Sequence, residues 1–178
     1  EAGRIELDEQ EINLADSVQA SLLMIDHRAR SAKVRIAAIM PEGLPLVRAD
    51  GRALKQILIN LMSNAIKFSP EDGRITIQAE MAADGQLAMS VSDNGRGISA
   101  SELTKALEPF GQVESAYARR DQGIGLGLPI ARSLVELHGG EFQIDSELGV
   151  GTTVRFTLPS FRILPEPQQR AADSREAG

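Results

Sequence analysis

The fold of this chain is decided by residues 51–68, which read GRALKQILINLMSNAIKF. Apolar residues recur there every three or four positions, at Leu54, Ile57, Leu58, Leu61 and Ala65. This spacing is the period of an amphipathic helix, and Ser69-Pro70 predicts where the helix ends. Because an apolar helix face must pack on another layer, the stretch predicts a helix lying against the rest of the core.

The same helix carries a polar stripe beside its apolar face, formed by Gln56, Asn60, Asn64 and Lys67. For a single Asn, the simplest interpretation is a solvated edge of the helix. Two Asn residues one turn apart fit that interpretation less well, because Asn is a poor helix former whose side chain competes for the backbone. Aligned amide oxygens followed by an ammonium group could instead face a metal-bound polyphosphate.

The segments around this helix predict an α+β domain, with helices gathered on one face of an antiparallel or mixed sheet. Asn13 is expected to cap an earlier helix, and Asp84-Gly85 is a hairpin turn. The predicted strands are residues 4–7, 34–40, 75–81, 87–91, 142–145 and 152–158, and the other predicted helices are residues 14–32, 99–107 and 124–138.

Composition excludes several classes of protein. The 178 residues suffice for one domain, and the net charge of -6 argues against broad electrostatic binding to nucleic acid or an anionic membrane. The absence of Cys excludes disulfides, thiolate zinc sites and Cys nucleophiles. No apolar run approaches the roughly 18 residues of a spanning helix. Of the two histidines, His27 is expected at the surface and His138 as a helix-capping residue.

Asp93 stands at the end of a predicted buried strand and is followed by the sequence NGRG. The period of two places it on the same face as Met89 and Val91, where a carboxylate is costly unless something is bonded to it. Two interpretations remain open. Asp93 could accept backbone N–H groups of the following turn, or it could accept an exocyclic amine such as that of adenine. In the second case Gly95 and Gly97 would let the backbone approach a flat ring.

A glycine-rich stretch, GIGLG at residues 123–127, runs directly into the last predicted helix, with Pro129 in its first turn. Free N–H groups and the helix dipole make such a start a site for anions. The stretch does not directly follow a strand and lacks the Lys-Ser/Thr of a P-loop, so Rossmann and P-loop interpretations both fit poorly.

Taken in order, these motifs resemble the catalytic and ATP-binding domain of sensor histidine kinases, within the GHKL ATP-binding superfamily. NLMSNAIKF (60–68) resembles the N box, and DNGRGI (93–98) resembles the first glycine box. PFG (109–111) resembles the F box, and GIGLGL (123–128) resembles the second glycine box. GVGTT (149–153) resembles the glycine-threonine turn that comes after them. Each motif alone is weak, whereas the ordered set is specific.

The resemblance implies a two-layer α/β sandwich, the Bergerat or GHKL fold, in which three helices cover one face of a mixed sheet. It implies Mg²⁺ at Asn64 with Asn60 beside it, Lys67 at the phosphates, Phe68 near the base and Asp93 on the adenine amine. Asn60, Asn64 and Lys67 are the implied catalytic residues. The full set of implied cofactor-binding residues is Asn60, Asn64, Lys67, Phe68, Asp93, Gly95, Gly97, Ile98, Phe110, Gly123, Ile124, Gly125, Leu126, Gly127, Leu128, Thr152 and Thr153.

The resemblance also divides the chain. Residues 12–159 are expected to form the catalytic ATP-binding domain, residues 1–11 a linker stub after a missing dimerisation domain, and residues 160–178 a disordered tail. Residues 108–124 are the expected lid over the nucleotide, with Phe110 as its anchor on the hinge side.

The implied function is transfer of the γ-phosphoryl group of ATP to a His on a separate dimerisation domain, with a response regulator receiver domain as the second partner. No nucleic acid and no direct membrane contact are expected, and the domain is expected to be cytoplasmic and, as a fragment, monomeric. Mg²⁺ should arrive with the nucleotide, because amide oxygens alone hold it poorly.

Two alternative functions remain. One is a catalytically silent ATP-binding or interaction module of a signalling scaffold. The other is a GHKL ATPase, but the ATP-hydrolysing relatives carry Glu at the position of Asn60, and an amide cannot take a proton from attacking water. Hydrolysis is therefore expected to be slow.

Overall fold

The computed structural model describes residues 6–107 and 127–165. Its helices are α1 (Leu14–Ser31), α2 (Gly51–Phe68), α3 (Ala100–Ala106) and α4 (Gly127–Leu137). Its strands are β1 (Glu9–Ile12), β2 (Arg35–Ile39), β3 (Val47–Asp50), β4 (Arg74–Met81), β5 (Leu87–Asp93), β6 (Phe142–Glu147) and β7 (Gly151–Leu158).

The main sheet is mixed and has the strand order β2-β4-β5-β7-β6. β2 and β4 are parallel, and the other neighbouring strands are antiparallel. The strands alternate as predicted, because Ile75 and Ile77 are buried while Gln78 and Glu80 are exposed. Apolar residues of α1, α2 and α4 form one hydrophobic core with the buried face of this sheet. The predicted α+β arrangement, with helices on one face of a mixed sheet, is confirmed.

Helix α2 has the predicted bounds. Asp50 caps it, since its Oδ1 accepts from the backbone N–H of Arg52 at 2.9 Å and of Ala53 at 3.1 Å. The apolar face is buried as the 3.6-residue period requires, and Leu54 and Ile57 are fully buried. This face fixes the rotation of α2, so the polar stripe lies along the border of the core.

The other helices begin where the sequence predicts or slightly later. Asn13 caps α1 by accepting from the backbone N–H of Asp16. Ser99 and Glu102 form a capping box at the start of α3. α4 starts at Gly127, three residues after the predicted start, and residues 124–126 lie outside the described part of the chain.

A small second sheet corrects the prediction for the N-terminal segment. The strand is Glu9–Ile12 and not residues 4–7, and it pairs antiparallel with β3. Residues 6 and 7 are not in a strand, and residues 1–5 lie outside the described residues. Because β1 joins the fold, the segment predicted to be a linker up to residue 11 is partly a strand. β3 itself was missed, since four residues show too little alternation to predict a strand.

The predicted tail is wrong for residues 160–165. Ser160–Arg162 form a 3₁₀ turn, and Ile163 forms a β-bridge to Val47. The Arg162 side chain is only 8% exposed. Its Nη1 donates to Glu9 Oε1 and to the carbonyl of Arg48, each at 2.9 Å, and its Nε donates to the carbonyl of His138. These acceptors order the segment, whereas residues 166–178 lie outside the described residues.

His138 is another buried polar residue at this end of the molecule. Its Nδ1 lies 2.7 Å from the carbonyl of Leu134 in the last turn of α4, which confirms the predicted capping role. Its Nε2 accepts from the backbone N–H of Asp50 at 3.1 Å, which the sequence did not predict. Burial is the main cause that lowers the pKa of His138, and the neutral ring suits an acceptor at Nε2. His27 is exposed, as predicted.

Within residues 6–107 and 127–165, every helix is too short or too polar to cross a lipid bilayer.

Candidate functional site

The polar stripe on α2 is the centre of the candidate site. Asn60 and Asn64 are half-buried, while Gln56 and Lys67 are exposed. The Gln56 Nε2 atom donates to Asn60 Oδ1 at 2.8 Å. The Asn60 Nδ2 atom is buried and has no hydrogen-bond partner within the described residues. An unpaired buried amide costs about 1–3 kcal/mol, so this atom suits an incoming acceptor such as a phosphate oxygen.

The first residue of α4 lies against Asn60. A Cβ atom added at Gly127 would stand 3.8 Å from Asn60 Cβ and 3.9 Å from Asn60 Cγ. The structure therefore brings the start of a helix, with the positive end of its dipole, to the polar stripe. Leu128, the next predicted binding residue, is 6% exposed and belongs to the hydrophobic core.

Asp93 ends β5 on the buried face of the sheet and is half-buried. Its Oδ1 accepts from the backbone N–H of Gly95 at 2.8 Å, so the turn interpretation is confirmed. Burial is the largest effect and raises the pKa of Asp93, although hydrogen bonds from the backbone of Gly95 and Thr152 act in the opposite direction. A carboxylate can accept further hydrogen bonds. The bond to Gly95 therefore leaves room for the predicted role of Asp93 as acceptor for adenine, which stays a prediction.

The two glycines after Asp93 permit close contacts within the protein. A Cβ atom at Gly95 would collide with the carbonyl oxygen of Phe68 at the end of α2. Gly97 has φ of +67°, and a Cβ atom there would collide with the carbonyl of Glu147. Their approach to a flat ring stays a prediction, because the observed contacts are with the backbone. The Asp93 loop is therefore packed directly on the end of α2.

Arg96 is a candidate residue that sequence reasoning missed. Its guanidinium carbon lies 4.8 Å from the centroid of the Phe68 ring, and Lys67 Nζ lies 5.5 Å from the same centroid. The Arg96 Nη2 atom is buried without a partner within the described residues. The sequence signal for Arg96 is its place between two glycines. A cationic residue in such a tight loop has few side-chain orientations open to it.

The predicted residues of β7 separate onto two faces of the sheet. Thr152 pairs with Asp93 and is 5% exposed, and its Oγ1 lies 2.7 Å from Ser146 Oγ. Thr153 pairs with Ser92, and their hydroxyl oxygens are 2.9 Å apart. Since neighbouring strand residues point to opposite faces, the structure brings Thr152 to the site and places Thr153 on the face away from Asp93.

Ile98 is buried beside the site, and its role in binding the nucleotide stays a prediction. It is 2% exposed, and its backbone N–H donates to Ser146 Oγ at 2.8 Å. Several other predictions lie outside the described residues, namely the lid at residues 108–124, Phe110, Gly123, Ile124, Gly125 and Leu126.

The donor set at the polar stripe fits Mg²⁺ only together with other ligands. In the described ranges, no group of three or more His, Asp or Glu side chains could hold a metal ion. Asn64 offers a neutral amide oxygen, and Mg²⁺ prefers phosphate, carboxylate and water oxygens. The residues present therefore suit a cation that comes with phosphate oxygens of its own.

Comparisons with known proteins show which family this chain resembles. The family model described as "Histidine kinase-, DNA gyrase B-, and HSP90-like ATPase" matches residues 49–162, which is more than half of the chain. The chain is 42% identical over 162 residues to the non-motile and phage-resistance protein of Caulobacter vibrioides, and 42% identical over 159 residues to the histidine protein kinase DivJ of the same organism. These matches cover 89% of this chain but only 19% and 26% of the two relatives.

Solved structures resemble the whole two-layer arrangement. Full-length ShkA in complex with AMPPNP aligns with a TM-score of 0.77 and 30% identity, over 89% of this chain and 32% of that chain. The catalytic domain of the histidine kinase ThkA aligns with a TM-score of 0.74 and 27% identity, over 86% of this chain and 97% of that chain. ThkA has also been solved in complex with the response regulator protein TrrA. The sandwich fold that the sequence motifs imply is thereby confirmed.

Proposed function

Because this chain belongs to the family of histidine kinase-, DNA gyrase B- and HSP90-like ATPases, we propose that it is the ATP-binding catalytic domain of a sensor histidine kinase. It transfers the γ-phosphoryl group of ATP to a His on a separate dimerisation domain. The observation that carries the proposal is that two elements meet α2 along its polar stripe, namely the start of α4 and the loop after Asp93. The start of α4 lies at Asn60, and the loop after Asp93 lies on Phe68 at the end of the helix.

The chemistry of these elements matches the parts of a nucleoside triphosphate. Lys67 and Arg96 supply positive charge near the Phe68 ring, and the first residues of α4 supply N–H donors for phosphate oxygens. Asp93 is an acceptor for an exocyclic amine at the buried end of the site. Mg²⁺, held by Asn64 together with the phosphates, would neutralise phosphate charge when bound.

Phosphoryl transfer asks the protein mainly for positioning and charge stabilisation. Asn60 cannot act as a base towards water, so the site favours transfer to a better nucleophile over hydrolysis. An imidazole from another domain is such a nucleophile. This supports a kinase over the ATPase alternative.

We extend the proposal to a receiver domain of a response regulator as the second partner, on the analogy of ThkA with TrrA. The parent dimerisation domain, the monomeric state of the fragment and a cytoplasmic location stay predictions.

Titration with ATP, in the presence and absence of Mg²⁺, tests the binding part of the proposal. We expect ATP to bind, and Mg²⁺ to strengthen binding by about tenfold because the metal neutralises phosphate charge next to neutral amides. Mg²⁺ without nucleotide should show almost no affinity. Isothermal titration calorimetry measures all three. A chain that folds but gives no heat with ATP would contradict the proposal.

Phosphotransfer separates the kinase from its two alternatives. With γ-labelled ATP and the added dimerisation domain of a related kinase, we expect label on the His of that domain and little free phosphate. A catalytically silent module would bind ATP and transfer no label. An ATPase would release phosphate over many turnovers without an acceptor.

A further inference from the structure

Gln56 contacts Asn60 in a way that the proposed function does not yet use. Gln56 stands four residues before Asn60 on α2, so the two side chains are neighbours on the helix surface. The 2.8 Å hydrogen bond runs from Gln56 Nε2 to Asn60 Oδ1. Gln56 is exposed, whereas Asn60 is half-buried beside the start of α4.

A primary amide has an acceptor at one end and a donor at the other. A partner that presents a donor holds the oxygen end and leaves the nitrogen end for another contact, and Gln56 presents its Nε2 donor to Asn60. With Oδ1 bonded to Gln56, the Asn60 Nδ2 atom is the end left over, and it is buried with no partner in the described part of the chain. The donor end is thus the one that Asn60 has available for a ligand.

The direction matters because phosphate oxygens only accept hydrogen bonds. An NH₂ group next to a phosphate is attractive, whereas an amide oxygen in the same place is repulsive. The two Asn residues of the polar stripe then differ in their tasks: Asn60 donates to a phosphate oxygen, and Asn64 offers its oxygen to the metal.

We propose that Gln56 is a positioning residue that orients the side chain of Asn60, so that the amide nitrogen and not the oxygen faces the phosphates of the nucleotide. This inference rests on the proposed function, since it assumes phosphates beside Asn60 and Gly127. If the pair were only a surface hydrogen bond along a helix, changing Gln56 would alter stability slightly and leave nucleotide affinity unchanged.

Three substitutions of Gln56 separate these possibilities, with ATP affinity measured by calorimetry. Gln56→Glu places an acceptor beside Asn60, which turns its NH₂ group towards position 56 and its oxygen towards the phosphates. We expect ATP affinity to fall by about tenfold. Gln56→Lys provides only donors and preserves the orientation, so affinity should be at least that of the wild type. Gln56→Met provides neither and should reduce affinity by about threefold.

Charge is controlled by repeating the series in an Asn60→Ala background. Without the amide, the difference between Gln56→Glu and the wild-type residue at this position should shrink to less than about twofold. A difference that stays near tenfold there would show that charge alone acts, and it would overturn the proposal. Equal ATP affinity of Gln56→Glu and wild type would also overturn it.

Side-chain amide NMR gives a readout that does not depend on nucleotide. The NH₂ resonances of Asn60 should shift in Gln56→Glu, because that group gains an acceptor, and should keep their position in Gln56→Lys. If the wild-type chain itself binds no ATP, the proposed function fails together with this inference. If wild type binds and the Gln56 series is flat, only the inference fails.

Discussion

Replacing Asp93 with Asn is expected to weaken ATP binding by about 100-fold and to raise the stability of the nucleotide-free domain at neutral pH. Both effects come from the same carboxylate. It is the proposed acceptor for the nucleotide, but in the nucleotide-free fold it is a partly buried charge. Under the proposed function, Asp93 accepts the adenine amine in the complex, and an Asn at this position would present its own NH₂ group to that amine. Two donors that face each other lose the hydrogen bond and leave buried groups unpaired.

The stability effect comes from the pKa of Asp93, which burial raises despite the hydrogen bonds from Gly95 and Thr152. A folded-state pKa above the unfolded value, which is about 4, means that the group stabilises the fold only while it is protonated. This contribution is lost as the pH rises through the folded-state pKa. At neutral pH the fold holds a partly buried charge, whereas Asn can keep the acceptor for Gly95 without that charge.

Thermal melts between pH 4 and 8, together with ATP titrations, test both effects. The melting temperature of Asp93→Asn should exceed that of wild type at pH 7, and the difference should shrink as the pH falls towards 4. Asp145→Asn is the matched control, because Asp145 is an exposed residue of β6 and should change neither quantity. GTP should compete poorly with ATP in wild type. If Asp93→Asn bound ATP as tightly as wild type does, Asp93 would not be the acceptor for the adenine amine.

Replacing Arg162 with Met is expected to lower the free energy of unfolding by about 3 kcal/mol. The substitution leaves two backbone carbonyls, those of His138 and Arg48, without the guanidinium donor. It also removes the partner of Glu9, whose side chain is 39% exposed, so water replaces that part of the interaction at little cost. Most of the loss therefore comes from the carbonyls.

Urea denaturation measures this effect, with Arg155→Met as the control. Arg155 pairs with Glu80 at 2.9 Å on the outer face of the sheet, where the two side chains are 44% and 63% exposed. We expect its loss to change stability by less than about 1 kcal/mol. If both variants unfolded at the same urea concentration, the buried cluster around Arg162 would contribute no more than a surface ion pair.

Periodicity predicted the parts of the fold in which one local pattern dominates. The apolar period predicts the course of α2, and Pro70 predicts where the helix ends. Asp84-Gly85 predicts the hairpin between β4 and β5. β3 escaped prediction because it is short and its last residue, Asp50, also caps α2. Arg162 escaped because its burial depends on acceptors that stand far away in sequence, so no local pattern marks it.

In the site, too, local spacing predicted some residues, whereas others depend on contacts that the sequence pattern does not show. The polar stripe on α2 was predictable, since helical spacing alone aligns its members. Thr152 and Thr153 were implied as a pair, but the period of two along β7 lets only Thr152 share a face with Asp93. The roles of Arg96 and of the hydrogen bond between Gln56 and Asn60 could not be predicted from the sequence. The evidence for both is a buried nitrogen atom that has no hydrogen-bond partner among the residues the structure describes.

Glu9 and Arg162 are joined by an ion pair although 153 positions separate them in the chain. The first strand and the last turn therefore sit side by side on β3, at the Asp50 end of α2, and Asn64 is about 20 Å further along the helix axis. A circular permutant that links residue 165 back to residue 6 and opens the chain at Asp84-Gly85 would keep every strand pair of both sheets. Fusions joined before residue 6 or after residue 165 would likewise emerge on one side, remote from Asn64.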